Sequence, residues 1–145
     1  MPATIESASK ATPRRLVIGV SGASGAALGL ACLDALQGTG VESHLVLTRG
    51  GEITIEQELG MTPEQYAAHA DVVYDNRNIG AAIASGTFRT AGMIVAPCSM
   101  KTLAGVANGF SENLLLRAAD VTIKEQRPLV LMARETPLSA IHVDN

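Results

Sequence analysis

The chain has 145 residues, of which 47% are hydrophobic and 17% are charged, and its formal net charge is -3. This length and composition predict one globular domain with a sizeable core, and the lack of a basic surplus argues against nucleic-acid binding. No apolar run approaches the length of a membrane-spanning helix, so no membrane contact is expected. Because Cys32 and Cys98 lie too far apart to form a metal-binding pair, we expect no metal site, and free thiols fit a cytoplasmic location.

Residues 1–14 are small and polar and contain no apolar signal-peptide core, which predicts a disordered N-terminal tail. The segment 15–145 is expected to form a single α/β domain. Its first part, RLVIGV, is an apolar run rich in β-branched residues, which is typical of a buried strand.

A turn of small residues, SGASG at 21–25, separates this strand from a helix predicted from about Gly25 to Gln37. A strand, a small-residue turn and a helix in this order direct backbone N–H groups and the positive end of the helix toward an anion. The hydroxyls of Ser21 and Ser24 add further donors. We therefore favour a phosphate-binding turn over a turn without a ligand.

The glycines of this segment follow the spacing G-x-x-G-x-x-G, which differs from the G-x-G-x-x-G of dinucleotide sites. The second predicted strand, at 44–47, ends in Thr48-Arg49 and lacks the acidic residue that holds the ribose of NAD. A mononucleotide or another phosphate ester therefore fits this site better than NAD.

The rest of the chain continues to alternate helices with apolar strands. We expect a helix over 52–59, a short helix capped by Thr62, a strand over 72–74 and one helical turn around 81–84. Next come a strand over 92–96 that Pro97 ends, a helix over 99–107, a longer helix from a Ser111 cap to about Gln126, a strand over 128–133 and a helix beginning at Ile141.

This alternation predicts an α/β fold with a mostly parallel sheet that is covered on both faces. In such sheets, ligands bind beyond the carboxyl ends of the strands. The predicted strand ends carry small, polar or charged residues, namely SGAS at 21–24, Thr48, PCS at 97–99 and Arg134-Glu135. Hydroxyls, backbone amides and one arginine suit an anionic ligand. Cys98 is expected to be a buried strand-end residue rather than a nucleophile, because no histidine lies near it in the sequence.

Four segments together resemble the UbiX-type flavin prenyltransferases, a branch of the flavoprotein superfamily that also contains the cysteine decarboxylases. The segments are GVSGASGA at 19–26, APCSMKTLAGVANG at 96–109, NLLLRAADVTIKEQRPLVL at 113–131 and RETPLSAIH at 134–142. They occur in the family's order without large gaps, and the resemblance extends from about residue 15 to residue 145.

The resemblance implies a flavodoxin-like or Rossmann-like three-layer fold that binds reduced FMN at a subunit interface of a homo-oligomer. It implies an enzyme that joins a dimethylallyl group from dimethylallyl phosphate to N5 and C6 of the flavin and releases phosphate. The product, prenylated FMN, would serve a UbiD-type decarboxylase that acts on aromatic or unsaturated acids. No metal is implied.

The resemblance also implies roles for individual residues. The FMN-binding positions are Gly22, Ala23 and Ser24 in the first loop, Thr48 after the second strand, Ser99, Met100, Lys101 and Thr102 in the second loop, and Arg134. The catalytic positions are Ser24, Glu58, Lys124 and Glu135, of which the last two belong to the group around the prenyl phosphate.

The chemistry explains these residue types. An allylic phosphate leaves as an anion, so nearby cations such as Lys124 and Arg134 stabilise the departing charge. A glutamate beside them can hold the lysine or move a proton. Arg117, two turns before Lys124 on the same predicted helix, can reach a phosphate or form a salt bridge with a neighbouring subunit. Without the resemblance, Lys124 and Glu125 would be interpreted as a solvated helix face.

The family's chains continue for several dozen residues beyond the position of Asn145, and that segment supplies a tyrosine and a basic residue that bind dimethylallyl phosphate. The predicted domain is therefore C-terminally short relative to the family, although its FMN motifs are intact.

Two alternatives remain open at this point. An FMN-dependent decarboxylase of a cysteine-containing substrate would carry a clamp motif with Pro, Met and Asn, which is absent, and CSMKT at 98–102 favours the transferase. A non-catalytic FMN-binding subunit of a decarboxylase complex is supported by the short C-terminus alone.

Overall fold

The centre of the computed structural model, which describes residues 13–145, is one sheet of five strands. The strands are β1 (Arg14–Val20), β2 (Val41–Leu47), β3 (Val72–Asp75), β4 (Gly92–Cys98) and β5 (Leu129–Ala133). They lie in the order β3-β2-β1-β4-β5, and all neighbouring pairs are parallel. Residues 1–12 of the predicted N-terminal tail lie outside the described residues. Strand β1 begins at Arg14, the last residue of that predicted tail.

Helices follow the strands on both sides of the sheet. They are α1 (Ala26–Leu36), α2 (Arg49–Leu59), α3 (Pro63–Ala67), α4 (Met100–Ala107), α5 (Leu114–Lys124) and α6 (Ala140–Asp144), with a 3₁₀ turn at Ala82–Ala84. In the part of the chain that the structure describes, no helix has the length and apolar character needed to span a bilayer.

The sheet divides the core into two layers, because successive residues of a strand face opposite sides. On one side, Ile18 of β1 packs with Leu33 of α1, Ile55 of α2 and the fully buried Tyr66 of α3. On the other side, α5 supplies much of the core through Leu114, Leu115, Ala118 and Ala119. The predicted three-layer α/β fold is therefore confirmed.

The order of the strands predicts where a ligand-binding crevice lies. The chain moves outward from β1 to β2 and β3, and then returns to the other side of β1 to form β4 and β5. Ligands in open α/β sheets bind at such a reversal, beyond the carboxyl ends of the two central strands. The segments that follow β1 and β4 are therefore where a ligand is expected.

The prediction that Pro97 ends the fourth strand is wrong, because β4 continues through Pro97 to Cys98. The pairing of β4 with β5 shifts register between Val95 and Cys98. Since Pro97 lies within this irregularity, the sheet does not need the N–H group that proline lacks.

Two predicted helix starts are also wrong. The helix expected from Ser111 begins at Leu114, because the side chain of Asn113 accepts a hydrogen bond from the Leu116 N–H (2.9 Å) and caps it. The helix expected from Glu52 begins at Arg49, since Thr48 acts as its cap. By contrast, the predicted Thr62 cap is confirmed as a full capping box with Gln65.

Candidate functional site

Ser21 connects the two central strands where the crevice begins. Its hydroxyl donates to the Pro97 carbonyl (2.8 Å) and accepts from the Ser99 N–H (2.8 Å), and the residue is only 1% exposed. The expectation that this hydroxyl contacts a phosphate is therefore wrong, because both of its bonds are made inside the protein. Ser21 instead fixes the N-terminus of α4 relative to the end of β1.

A cleft of about 710 Å³ lies at this edge of the sheet. Its size falls within the range of small-molecule sites. Five of the residues predicted to bind FMN line it, namely Gly22, Thr48, Ser99, Lys101 and Thr102. The lining also includes residues from the first turns of three helices, α2, α4 and α5.

The starts of α2 and α4 offer backbone donors to this cleft. The Thr48 hydroxyl accepts from the Gly51 N–H (3.0 Å), and the Ser99 hydroxyl accepts from the Thr102 N–H (3.1 Å). These caps satisfy only one N–H group of each first turn. Within residues 13–145, the N–H groups of Met100 and Lys101 have no partner, as expected at the start of a helix. Such ends attract an anionic group.

Gly22 and Gly50 bring two loops together in the wall of the cleft. A Cβ atom at Gly22 would lie 3.0 Å from the Cα of Gly50, so only glycine allows the turn after β1 to approach α2 this closely. The two glycines therefore allow the turn after β1 and the start of α2 to meet in one wall of the cleft.

A second cluster lies at the start of α1, beside Ser24. The Glu58 carboxylate accepts from the N–H groups of Gly25 (3.0 Å) and Ala26 (3.0 Å), and Arg134 Nη1 donates to the Ser24 carbonyl (3.2 Å). The Ser24 hydroxyl, followed by these two N–H groups, holds the pKa of Glu58 below its usual value. The anion at the start of α1 is thus a side chain of this chain, which corrects the prediction that a ligand phosphate is bound there.

This contact predicts a pH-dependent stability. In the folded protein the pKa of Glu58 is lowered, so the ionised carboxylate stabilises the fold above its unfolded pKa, and this contribution is lost as the pH falls through the folded pKa. We expect Glu58→Gln to lower the Tm at pH 7, and the difference from wild type to shrink from about pH 5 to about pH 3. Thermal unfolding across this range measures it. Glu56→Gln, on the exposed side of the same helix, is the control, and an equal deficit at pH 3 and pH 7 would contradict the assignment.

The remaining predicted residues are not all brought together. Glu135 follows Arg134 at the same edge of the sheet and is exposed. Lys124 ends α5 at the opposite edge, where it lines a separate cleft with Arg89 and Arg127. Arg117 lies on α5 with a buried Nε atom that has no hydrogen-bond partner among residues 13–145, and it does not line the 710 Å³ cleft.

Four further predicted FMN-binding residues do not line that cleft, namely Ala23, Ser24, Met100 and Arg134. Cys98 is fully buried, its Sγ donates to the Ser99 carbonyl (3.5 Å), and burial raises its pKa to about 11. A thiol in this state is a poor nucleophile. The interpretation of Cys98 as a buried strand-end residue is therefore confirmed.

Ten lining residues were not among the predicted binding residues. They are Arg49, Gly50, Asn76, Ala104, Gly105, Asn108, Phe110, Glu112, Asn113 and Leu116. The position of Arg49 and Gly50 directly after Thr48 was a usable signal. Asn113 was also recognisable as a cap, because it precedes the apolar run LLL.

Comparison with known proteins gives a consistent result. Residues 4–144 match the family model described as Flavoprotein. The chain is 56% identical over 132 residues to the flavin prenyltransferase UbiX of Neisseria meningitidis, covering 91% of this chain and 70% of the relative. It is 48% identical over 142 residues to the mitochondrial flavin prenyltransferase PAD1 of Saccharomyces cerevisiae, covering 98% of this chain and 59% of that protein. The chain thus spans about three fifths to seven tenths of the length of these relatives.

Solved structures share the fold. AnUbiX (PadA1), crystallised in complex with FMN and dimethylallyl pyrophosphate, has a TM-score of 0.90 and 49% identity, with 92% of this chain and 71% of that chain covered. A dodecameric FMN-dependent UbiX-like decarboxylase from Escherichia coli O157:H7 has a TM-score of 0.88 and 50% identity, with coverage of 90% and 71%. The cysteine decarboxylase TvaF, at 18% identity and a TM-score of 0.69, shares the fold alone.

Proposed function

Because this chain belongs to the Flavoprotein family and, within it, to the UbiX-type flavin prenyltransferases, we propose that it transfers a dimethylallyl group from dimethylallyl phosphate to N5 and C6 of reduced FMN. The observation that carries the proposal is the cleft at the carboxyl edge of the sheet, next to the cluster of Glu58, Ser24 and Arg134. The cleft offers backbone donors for a phosphate, and the cluster offers ionisable groups beside it.

The residues of the cleft fit FMN. The first turns of α2 and α4 present unpaired N–H groups and two hydroxyl caps, which suit the phosphate. The close approach of Gly22 and Gly50 brings the turn after β1 and the start of α2 into one wall of the cleft, so donors from both segments face the same ligand. Thr48, Ser99, Lys101 and Thr102 would hold the cofactor there.

The cluster supplies the groups that the transfer needs. When bound, FMN supplies the ring atoms that accept the prenyl group. Arg134 stabilises the phosphate as it leaves with its negative charge. The Ser24 hydroxyl and the Gly25 and Ala26 N–H groups lower the pKa of Glu58, so its ionised carboxylate is a weak base. Glu58 therefore positions the Ser24 hydroxyl and the start of α1 beside Arg134.

Lys124 fits this reaction only in an assembly of subunits. It lies at the amino edge of the sheet, whereas Arg134 follows the carboxyl end of β5. A strand of five residues is roughly 16 Å long, which is more than a lysine side chain spans. We therefore propose a homo-oligomer in which Lys124 of one protomer completes the prenyl-phosphate site of another, with Glu135 and Arg117 near the same interface.

The product would be used by a partner enzyme. We propose that prenylated FMN passes to a UbiD-type decarboxylase, with both proteins in the cytoplasm. The family resemblance supports the partner, and the free cysteines support the cytoplasmic location. Both are predictions.

The test is anaerobic incubation of the protein with reduced FMN and dimethylallyl phosphate, followed by mass spectrometry of the released flavin. We expect a flavin that is heavier by one C5 unit, and a loss of product of about 100-fold or more in Glu135→Gln. Glu56→Gln, at an exposed position away from the cleft, should match wild type. Bound but unmodified FMN in wild type would contradict prenyl transfer and favour an FMN-binding subunit.

A further inference from the structure

Asn76, the residue after β3, holds the start of α5. Its backbone carbonyl accepts from the Leu114 N–H (2.9 Å), and its side-chain Oδ1 accepts from the Leu115 N–H (2.9 Å). Because the first N–H groups of a helix have no carbonyl partner within the helix, these two bonds fix the position of the α5 N-terminus. The Asn113 cap satisfies the next group, at Leu116.

The same side chain leaves a donor available. Because Oδ1 must be the atom that faces the Leu115 N–H, the other branch of the amide is Nδ2, with two hydrogens. Within residues 13–145, Nδ2 makes no hydrogen bond, and it is not among the buried unpaired nitrogens. Asn76 forms part of the wall of the 710 Å³ cleft, so this accessible donor lies where a ligand would bind.

Two cations, Arg49 and Lys101, and one carboxylate, Glu112, line the cleft with Asn76, so its charged groups favour an anionic group of the ligand. Asn76 and Arg49 line both this cleft and a neighbouring one, which places them together on the ridge between the two. Arg49 is the first residue of α2, and the start of that helix attracts negative charge. A neutral amide donor and a helix N-terminus at one place match a phosphate better than a flavin ring.

We propose that Asn76 is an FMN-binding residue that donates from Nδ2 to the phosphate while its Oδ1 positions α5. This inference rests on the proposed function, because it takes FMN as the ligand of the cleft. The Asn76 side chain then has two roles: its Oδ1 positions α5, which lines the cleft, and its Nδ2 contacts the ligand.

The variant Asn76→Asp separates the two roles. Aspartate keeps an oxygen acceptor for the Leu115 N–H, and a negative charge is favourable at the start of α5. It replaces the Nδ2 donor with a second carboxylate oxygen, which repels a phosphate. We expect an unchanged or slightly raised Tm, an FMN dissociation constant raised about tenfold or more, and a change of less than about threefold for riboflavin, which lacks the phosphate.

The matched control is Asn78→Asp, which adds the same charge two residues away at an exposed position outside the cleft. It should change FMN affinity by less than about twofold, since solvent screens a charge there. FMN affinity equal to wild type in Asn76→Asp, or an equal loss for FMN and riboflavin, would overturn the phosphate contact. Failure of the wild-type protein to bind FMN would refute the proposed function instead, so the two failures are distinguishable.

Discussion

Lys124→Ala and Arg134→Ala are each expected to reduce prenyl transfer by about 100-fold or more, and activity should return when the two variants are assembled together. Each variant alone removes one cation from every site. If a site takes Lys124 from one protomer and Arg134 from another, a mixed oligomer contains sites in which both residues are intact.

The positions of Lys124 and Arg134 explain why recovery of activity requires two subunits. Lys124 lies beside Arg89 at the amino edge of the sheet, and Arg15 of β1 donates to the Arg89 carbonyl (3.2 Å), which confirms that this region is at the start of the strands. Arg134 contacts the Ser24 carbonyl at the other edge. Within one protomer the two cations are therefore separated by the length of the sheet.

The size of the recovery can be estimated. In an equal, random mixture, a site assembled from two protomers has a probability of one half for each intact residue, so about a quarter of wild-type activity should return. The measurement is product formation after unfolding and co-refolding, or after co-expression, at a 1:1 ratio. Subunit exchange is checked by mass spectrometry of the intact oligomer.

The control replaces Arg134→Ala with the double variant Lys124→Ala/Arg134→Ala. That mixture contains no intact Lys124, so its activity should remain at the level of Lys124→Ala alone. If both mixtures stay inactive although the variants co-assemble, Lys124 and Arg134 do not act across subunits. A Lys124→Ala variant as active as wild type would instead make Lys124 a solvated surface residue.

The location of Lys124 could have been predicted from the sequence. A helix that connects two parallel strands runs antiparallel to them, so its last residue lies near the start of the next strand. Lys124 precedes β5 by only a few residues, and this places it at the amino edge. The resemblance indicated its role, whereas the topology indicates that this role needs a second subunit.

The strand ends were predictable for a related reason. Thr48 and Ser99 each follow an apolar run, and the carboxyl ends of parallel strands meet at one edge of the sheet. Their polar side chains were therefore expected to lie together without knowledge of any contact. The structure brings both to the 710 Å³ cleft, where each also caps a helix.

Contacts between distant segments could not be predicted in this way. Glu58 reaches the start of α1 across 32 residues of sequence, and Asn76 reaches α5 across 39. Neither contact leaves a local pattern, since an acid on a helix and an asparagine in a loop are ordinary surface residues. Periodicity identifies the faces of helices and strands, but it does not say which loop meets which helix end.

Ser21 shows why a motif alone misassigns a hydroxyl, and it gives the second large expected effect. The serine lies in a glycine-rich turn that is typical of a phosphate site, yet its two hydrogen bonds of 2.8 Å join Pro97 and Ser99. Ser21→Ala would leave the part-buried Ser99 N–H without its partner. The Pro97 carbonyl would retain only the backbone N–H of residue 21 (3.2 Å).

We expect Ser21→Ala to destabilise the protein by about 1–2 kcal/mol, because two hydrogen bonds of the Ser21 hydroxyl are lost and a typical one contributes about 0.5–1.5 kcal/mol. For a domain of this size, this corresponds to a decrease in Tm of roughly 2–8 °C. FMN affinity should fall as well, since the Ser99 N–H holds the start of α4 at the cleft. Thermal unfolding and FMN titration measure the two effects.

Two further variants make the result interpretable. Ser21→Cys keeps a side chain of similar size with a weaker donor and acceptor, so its Tm should lie between those of wild type and Ser21→Ala. Ser111→Ala is the control, because the structure shows that Asn113, and not Ser111, caps α5. It should change stability by less than about 0.5 kcal/mol. If Ser21→Ala were as stable as Ser111→Ala, the bridge between β1 and β4 would contribute nothing to the fold, and the hydroxyl would again be available to a ligand.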